Sequence, residues 1–194
     1  MRQEIDKTIR IQGLINGLIL GIVLTVISII YFYFMIGVAS AVAITVGSVL
    51  FTYILPLAAA ALLCLNLRKR TGGFWTLRQA TTGIFIMFVI SNLMIFILRD
   101  QVFARVIEPN MVQKTEAAMV NALTKLKETT AKPEEKKEAD AKILEMKKGF
   151  ESNKTVTIGQ QIQSLGISII FLFVLSVVFA AFFKREPAGY VSGS

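Results

Sequence analysis

Asn66-Leu67-Arg68-Lys69-Arg70-Thr71-Gly72-Gly73-Phe74-Trp75-Thr76-Leu77-Arg78-Gln79-Ala80 carries four cations (Arg68, Lys69, Arg70 and Arg78) and no carboxylate. It divides two long apolar blocks, and no Asp or Glu occurs between Asp6 and Asp100. Lys and Arg beside span ends resist translocation, so a short cationic connection between membrane spans stays in the cytoplasm. Reading the stretch as such a connection makes the chain a multi-pass membrane protein and sets its orientation.

Composition agrees. The 194 residues are 54% hydrophobic, with a mean hydropathy of +0.63. A formal charge of +8 would suggest nucleic acid in a soluble chain. Here the cations flank apolar spans, so membrane phosphates are the expected partners and nucleic acid is not. Histidine is absent and Cys64 is the only cysteine. This excludes an internal disulfide, Cys/His zinc sites and His-based acid–base chemistry. Arg2, Lys7 and Arg10 precede an apolar run from Ile11 to Ile36. That run is too long for a signal peptide's core of roughly 7–15 residues, so it reads as a retained span.

Residues 11–65 greatly exceed the ~20 needed for one crossing. The chain is expected to fold back near Gly37-Val38-Ala39-Ser40, after the aromatic patch Tyr31-Phe32-Tyr33-Phe34, which suits a membrane–water interface. Spans are placed at about 12–35, 41–65, 80–98 and 165–183. Gly13, Gly17 and Gly21 recur at four-residue spacing, as do Ala39, Ala43 and Gly47. Such stripes let helix backbones approach closely, here to pack span one on span two or to form a homodimer. Pro56 should free a carbonyl near Thr52 and kink span two. Gly72-Gly73 supplies a turn, and Thr76 with Gln79 fits a capping box opening span three. Phe74 and Trp75 are expected at headgroup depth, with Trp75 joining the four loop cations as candidate contacts for anionic lipid.

Between Arg99 and Lys154 lie twelve cations and ten anions. Glu108-Pro109-Asn110 breaks the helix leaving span three. Val112, Met119, Leu123 and Leu126 then form one stripe, ending near Thr129-Thr130. Pro133 opens a second helix with the stripe Ala139, Ile143, Met146 and Phe150, and with Glu138 and Lys142 paired on its exposed side. Two such helices are expected to form a hairpin. The fold read is all-α: four transmembrane helices with an extracytoplasmic helical hairpin between spans three and four. Residues 1–98 hold a cytoplasmic N-terminus and spans one to three, 99–158 the hairpin, and 159–194 span four with a cytoplasmic tail. The inside then collects nine cations against three anions, Glu4, Asp6 and Glu186.

The layout resembles the bacterial membrane family known as domain of unknown function 4199. Gly17-Leu18-Ile19-Leu20-Gly21 and Arg68-Lys69-Arg70-Thr71-Gly72-Gly73-Phe74 carry the likeness. Thr76-Leu77-Arg78-Gln79-Ala80 is similar to a family run, with Leu77 and Gln79 in place of its usual aromatic and acid. Glu108-Pro109-Asn110, the charged helical insert and the closing Lys184-Arg185 complete it. The resemblance implies the bacterial inner membrane and supplies no activity, cofactor or catalytic residue.

No catalytic, cofactor or metal site is read from the residues. Gly72-Gly73 lacks the spacing of a phosphate-binding loop. Glu134, Glu135, Glu138 and Asp140 are interleaved with Lys132, Lys136, Lys137 and Lys142, which repel a hard cation and make a solvated face. The four spans contain no Asp, Glu, Lys, Arg or His, whereas proton relays and ion-coupled transporters usually need one. The expected role is a non-enzymatic interaction or scaffold subunit, with membrane lipids and a protein at the hairpin as partners. The alternatives are an oligomeric transporter of a neutral solute or lipid, using polar residues such as Asn16 and Asn92, and an accessory protein in polyprenyl or phospholipid headgroup metabolism.

Overall fold

A computed structural model describes residues 2–38, 40–129, 133–154 and 158–185. Ala39 of the second small-residue stripe, Thr130 at the expected helix end, Lys132 and Glu186 lie outside them. The described residues are helical, without a β-strand. Helix α1 is Arg2–Gly37 and α2 is Ala41–Arg70. Helix α3 is Leu77–Ile107, α4 is Met111–Thr129, α5 is Pro133–Lys154 and α6 is Ile158–Phe183. Four of these, α1, α2, α3 and the Gly166–Phe183 part of α6, are long and apolar enough to cross a membrane.

The chain breaks follow local chemistry. α1 ends at Gly37, and Ser40 opens α2 by accepting the Ala43 N–H at 3.4 Å. Within α2, Leu50–Ile54 is π-helical, and the Leu55 N–H bonds back to the Leu50 carbonyl. The widened turn lies immediately before Pro56, where an α-helix would lack a donor for the carbonyl of Thr52. Thr76 and Gln79 form both arms of the expected capping box at the start of α3.

The helix leaving span three runs through Arg99-Asp100 to Ile107, just before the Glu108-Pro109-Asn110 break read from the sequence, with Phe96–Ile107 π-helical. Two adjacent charges do not interrupt backbone hydrogen bonding; the break needs Pro109. There the Glu108 N–H bonds to the Phe103 carbonyl at 2.7 Å and the Met111 N–H to the Glu108 carbonyl at 2.9 Å.

The residues group into two compact units. One comprises α1 as far as Thr25, Leu57–Ile97 and the chain from Gln163 onward. Its core includes Leu20, Cys64, Leu67, Ile84, Met87 and Phe179. Here the glycine stripe of α1 lies on α3, not on α2 as expected. A Cβ on Gly13 would stand 2.8 Å from the Gly83 carbonyl oxygen, and one on Gly17 2.8 Å from that of Met87. One on Gly21 would meet Met94. The two backbones touch, the approach that small residues permit between helices in lipid. A polar bond joins α1 to α2 instead: Asn66 Nδ2 donates to Asn16 Oδ1 at 2.8 Å, and Asn16 Nδ2 to the Gln12 carbonyl at 2.8 Å. Ser91 is buried and donates to the Phe88 carbonyl of its own helix at 2.9 Å.

The other unit comprises Val26–Pro56 and Leu98–Ile162. Part of its aromatic patch packs inward, while Tyr33 is exposed. Phe32 is buried and meets Phe103 edge to face at 5.7 Å, and Tyr31 stacks on Phe51 at 5.6 Å. The Tyr31 hydroxyl donates to Ser48 Oγ at 2.8 Å. Gly47 faces Phe34, whose ring occupies the space a Cβ would need, while Ala43 is half-buried.

Helices α4 and α5 of this unit pack on each other. Lys127 and Asp140 join them at 2.6 Å, and Glu138 and Lys142 pair at 2.7 Å on α5. The two full hydrophobic stripes do not close, however. Val112 and Leu126 are exposed, and the buried residues are the smaller Ala122 and Ala139. Alanines bring the helices close together at little cost in side-chain entropy, which leaves the larger residues at the margins. Met35, Ile44 and Ala122 form a second small core, so α4 also packs on the start of α2.

Candidate functional site

The cationic connection starts at a helix end where the carbonyls of Leu67 and Arg68 accept from the Thr71 hydroxyl at 3.1 Å each. Arg68, Lys69 and Arg70 occupy the last turn of α2, where positive charge complements the helix dipole. The Thr71 N–H bonds to the Leu67 carbonyl at 3.1 Å and the Gly73 N–H to that of Arg68 at 2.9 Å. Gly72 and Gly73 adopt φ of +98° and +81°, a left-handed backbone that glycine enters without a Cβ clash. The chain thereby turns back onto the unit and delivers Phe74 and Trp75.

Trp75 does not present its ring to the surroundings. It is 2% exposed, packed in the core beside Gly83. Its indole Nε1 donates to the Phe183 carbonyl at 2.8 Å, satisfying one of the open acceptors at the end of α6. Its backbone N–H donates to the Arg185 carbonyl at 2.9 Å, and the Arg185 N–H returns to the Trp75 carbonyl at 3.4 Å. The wide ring and its single donor are both used internally, which removes Trp75 from the candidate lipid contacts.

That pairing brings a further cation to the connection. The Arg185 guanidinium lies over the Phe74 ring, 5.6 Å from its centroid, with both side chains exposed. Arg78 projects from the first turn of α3, exposed, in a turn that contains no acid. Lys69 and Arg70 are also exposed, and Arg68 is partly so. Arg70 Nε donates to Asn66 Oδ1 at 3.3 Å, tying it to the Asn66–Asn16 bond. On the other flank, Gln79 Nε2 donates to Asp6 Oδ1 at 3.3 Å. Sequence reasoning found the four loop cations but left Arg185 as a span terminator. A single tryptophan and a Lys-Arg exit, both at span ends, were the signals available.

Chemically, the group offers a set of exposed cationic donors, the Gly72 and Gly73 amides being taken by the Lys69 and Arg68 carbonyls. Cys64 of the same unit is fully buried, and Asp6 at the flank of the group accepts from Gln79. Among the described residues no cluster of His, Cys, Asp and Glu could hold a metal ion. A basic, solvent-facing surface of this kind binds anions by charge and hydrogen bonding.

No curated protein and no solved structure matches the chain. The model of a family described as protein of unknown function (DUF4199) matches residues 15–185, from the glycine stripe of α1 to the Arg185 that pairs with Trp75. The chain belongs to the DUF4199 family.

Proposed function

We propose that this protein is a non-enzymatic subunit of the bacterial inner membrane that holds anionic lipid headgroups on its cytoplasmic side. In this reading the charged hairpin contacts a protein partner on the opposite side. The observation that carries the lipid reading is the pairing of Arg185 with Trp75, which gathers a cation from the far end of the chain beside Arg68, Lys69, Arg70 and Arg78. Each cation near an anionic surface contributes about 1 kcal/mol, falling with salt, so the group together retains lipid. The orientation rests on charge: cations outnumber anions nine to three at the ends and connection assigned to the cytoplasm. Four crossings then put both termini inside and residues 99–158 outside. The uncharged span centres support an interaction role over proton or ion transport.

Native mass spectrometry of the wild type and of a quadruple variant, Arg68→Ala, Lys69→Ala, Arg70→Ala and Arg78→Ala, tests the lipid contact. Loss of bound phosphatidylglycerol in the variant is the expected result, and adding Arg185→Ala should deepen it. Equal retention by all forms leaves the cations as a topology signal alone. For the partner, purification in mild detergent should yield a stoichiometric second protein; a homo-oligomer enclosing a cavity would favour a transporter instead.

A further inference from the structure

A cavity of about 430 Å³ opens between the first turns of α2 and the α4–α5 hairpin, wholly within one unit. Its volume falls in the range of small-molecule sites, roughly 300–1,000 Å³. The inner wall is apolar, formed by buried Ile44 and half-buried Met119 and Met146. Unbranched methionines adapt their shape to a flexible guest. The rim is charged and carries both signs: Lys142 and Glu145 stand three residues apart on α5, both exposed. Lys142 pairs with Glu138 at 2.7 Å, yet an ammonium has three donors and can serve a second acceptor. Ser48 also lines the cavity; its oxygen accepts from Tyr31, which leaves its own proton to donate.

We infer that this cavity binds a zwitterionic phospholipid of the ethanolamine type, one acyl chain inside and the headgroup across Lys142 and Glu145. Two observations select that occupant over a peptide or a second copy of the chain. The wall formed by α2 belongs to a helix apolar enough to span a membrane, and its neighbouring Val42 and Val46 are 67% and 62% exposed. The cavity mouth is thus continuous with a surface suited to hydrocarbon. The rim matches a phosphate and an ammonium at adjacent positions, with Lys142 taking the former and Glu145 the latter. A choline headgroup has no N–H for Glu145, and a glycerol headgroup has no positive charge. The inference concerns a site separate from the basic connection and stands without the proposal made for it.

The full chain in phosphatidylcholine vesicles with a trace of phosphatidylethanolamine carrying a diazirine in its acyl chain provides the test. Irradiation should place adducts on Met119 or Met146. Unlabelled phosphatidylethanolamine should suppress them and phosphatidylglycerol should not. Glu145→Lys, on an exposed position, should lower the yield about threefold, the scale of one exposed charge contact, and admit phosphatidylglycerol as a competitor. Thr45→Trp, on the exposed wall, should fill the space and abolish the adducts. Should Thr45→Trp fail to fold, Glu145→Lys decides alone. Adducts confined to Val42 and Val46, equal competition by phosphatidylglycerol in the wild type, or a yield that Glu145→Lys leaves unchanged would overturn the inference.

Discussion

The Trp75 indole and the Phe183 carbonyl, 108 residues apart in the chain, are joined by a hydrogen bond of 2.8 Å. That bond and the backbone pairing of Trp75 with Arg185 fasten the end of α6 to the turn after α2. Among the described residues the indole is the one side-chain donor in the linkage.

Trp75→Phe keeps most of the ring volume and removes the donor. It should destabilise the protein by about 1–3 kcal/mol, the cost of a polar group left without its partner in an apolar setting. Thermal unfolding in detergent reads this directly. An unchanged midpoint would mean that water or lipid serves the Phe183 carbonyl equally well.

Gly17→Ala and Gly13→Ala should each lower stability by about 1–3 kcal/mol, the usual cost of overpacking a tight contact. The obstacle in both is a backbone oxygen 2.8 Å away, which cannot rotate aside as a side chain can. Gly37→Ala, with nothing within 4 Å, is the control and should change little. If all three variants melt together with the wild type, α1 and α3 are not in backbone contact.

Asn16 and Asn66 should show coupling in a double-mutant cycle with leucine. Hydrogen bonds between membrane helices average about 0.6 kcal/mol by such cycles, with values up to about 1.7. The direct Asn66 Nδ2 to Asn16 Oδ1 bond at 2.8 Å, with Asn16 buried and Asn66 partly so, places the pair within that range. Strict additivity of the two single changes would show that each amide finds another partner when its neighbour is removed.

Single cysteines at positions 70 and 140, introduced as Arg70→Cys and Asp140→Cys after Cys64→Ala, test the proposed orientation. Both positions are exposed and accept a label. In intact cells an impermeant maleimide should modify position 140 and spare position 70. The opposite pattern reverses the proposed topology, and modification of both places the two positions on one side of the membrane.

The chain alone determined how many apolar helices exist and where they are interrupted, because those properties depend on near neighbours. Gly37 to Ser40, Gly72-Gly73, the Thr76–Gln79 box and Pro109 act through a few backbone bonds each, and all are visible as short patterns. The same holds for the four cations of the connection and for the Glu138–Lys142 pair, one helical turn apart. Tertiary structure decided the rest. Four-residue spacing at Gly13, Gly17 and Gly21 reveals a smooth helix face but not its neighbour, and that neighbour is α3. Interfacial preference put Trp75 at the membrane surface, whereas a carbonyl at the end of α6 draws its indole inside. Arg185 reaches the basic face only through that burial. Hydrophobic periodicity likewise showed two stripes on α4 and α5 without showing that alanines make the contact. A one-dimensional pattern records what a face can bury; which surface covers it depends on long-range packing, and that is set only when all the helices are in place.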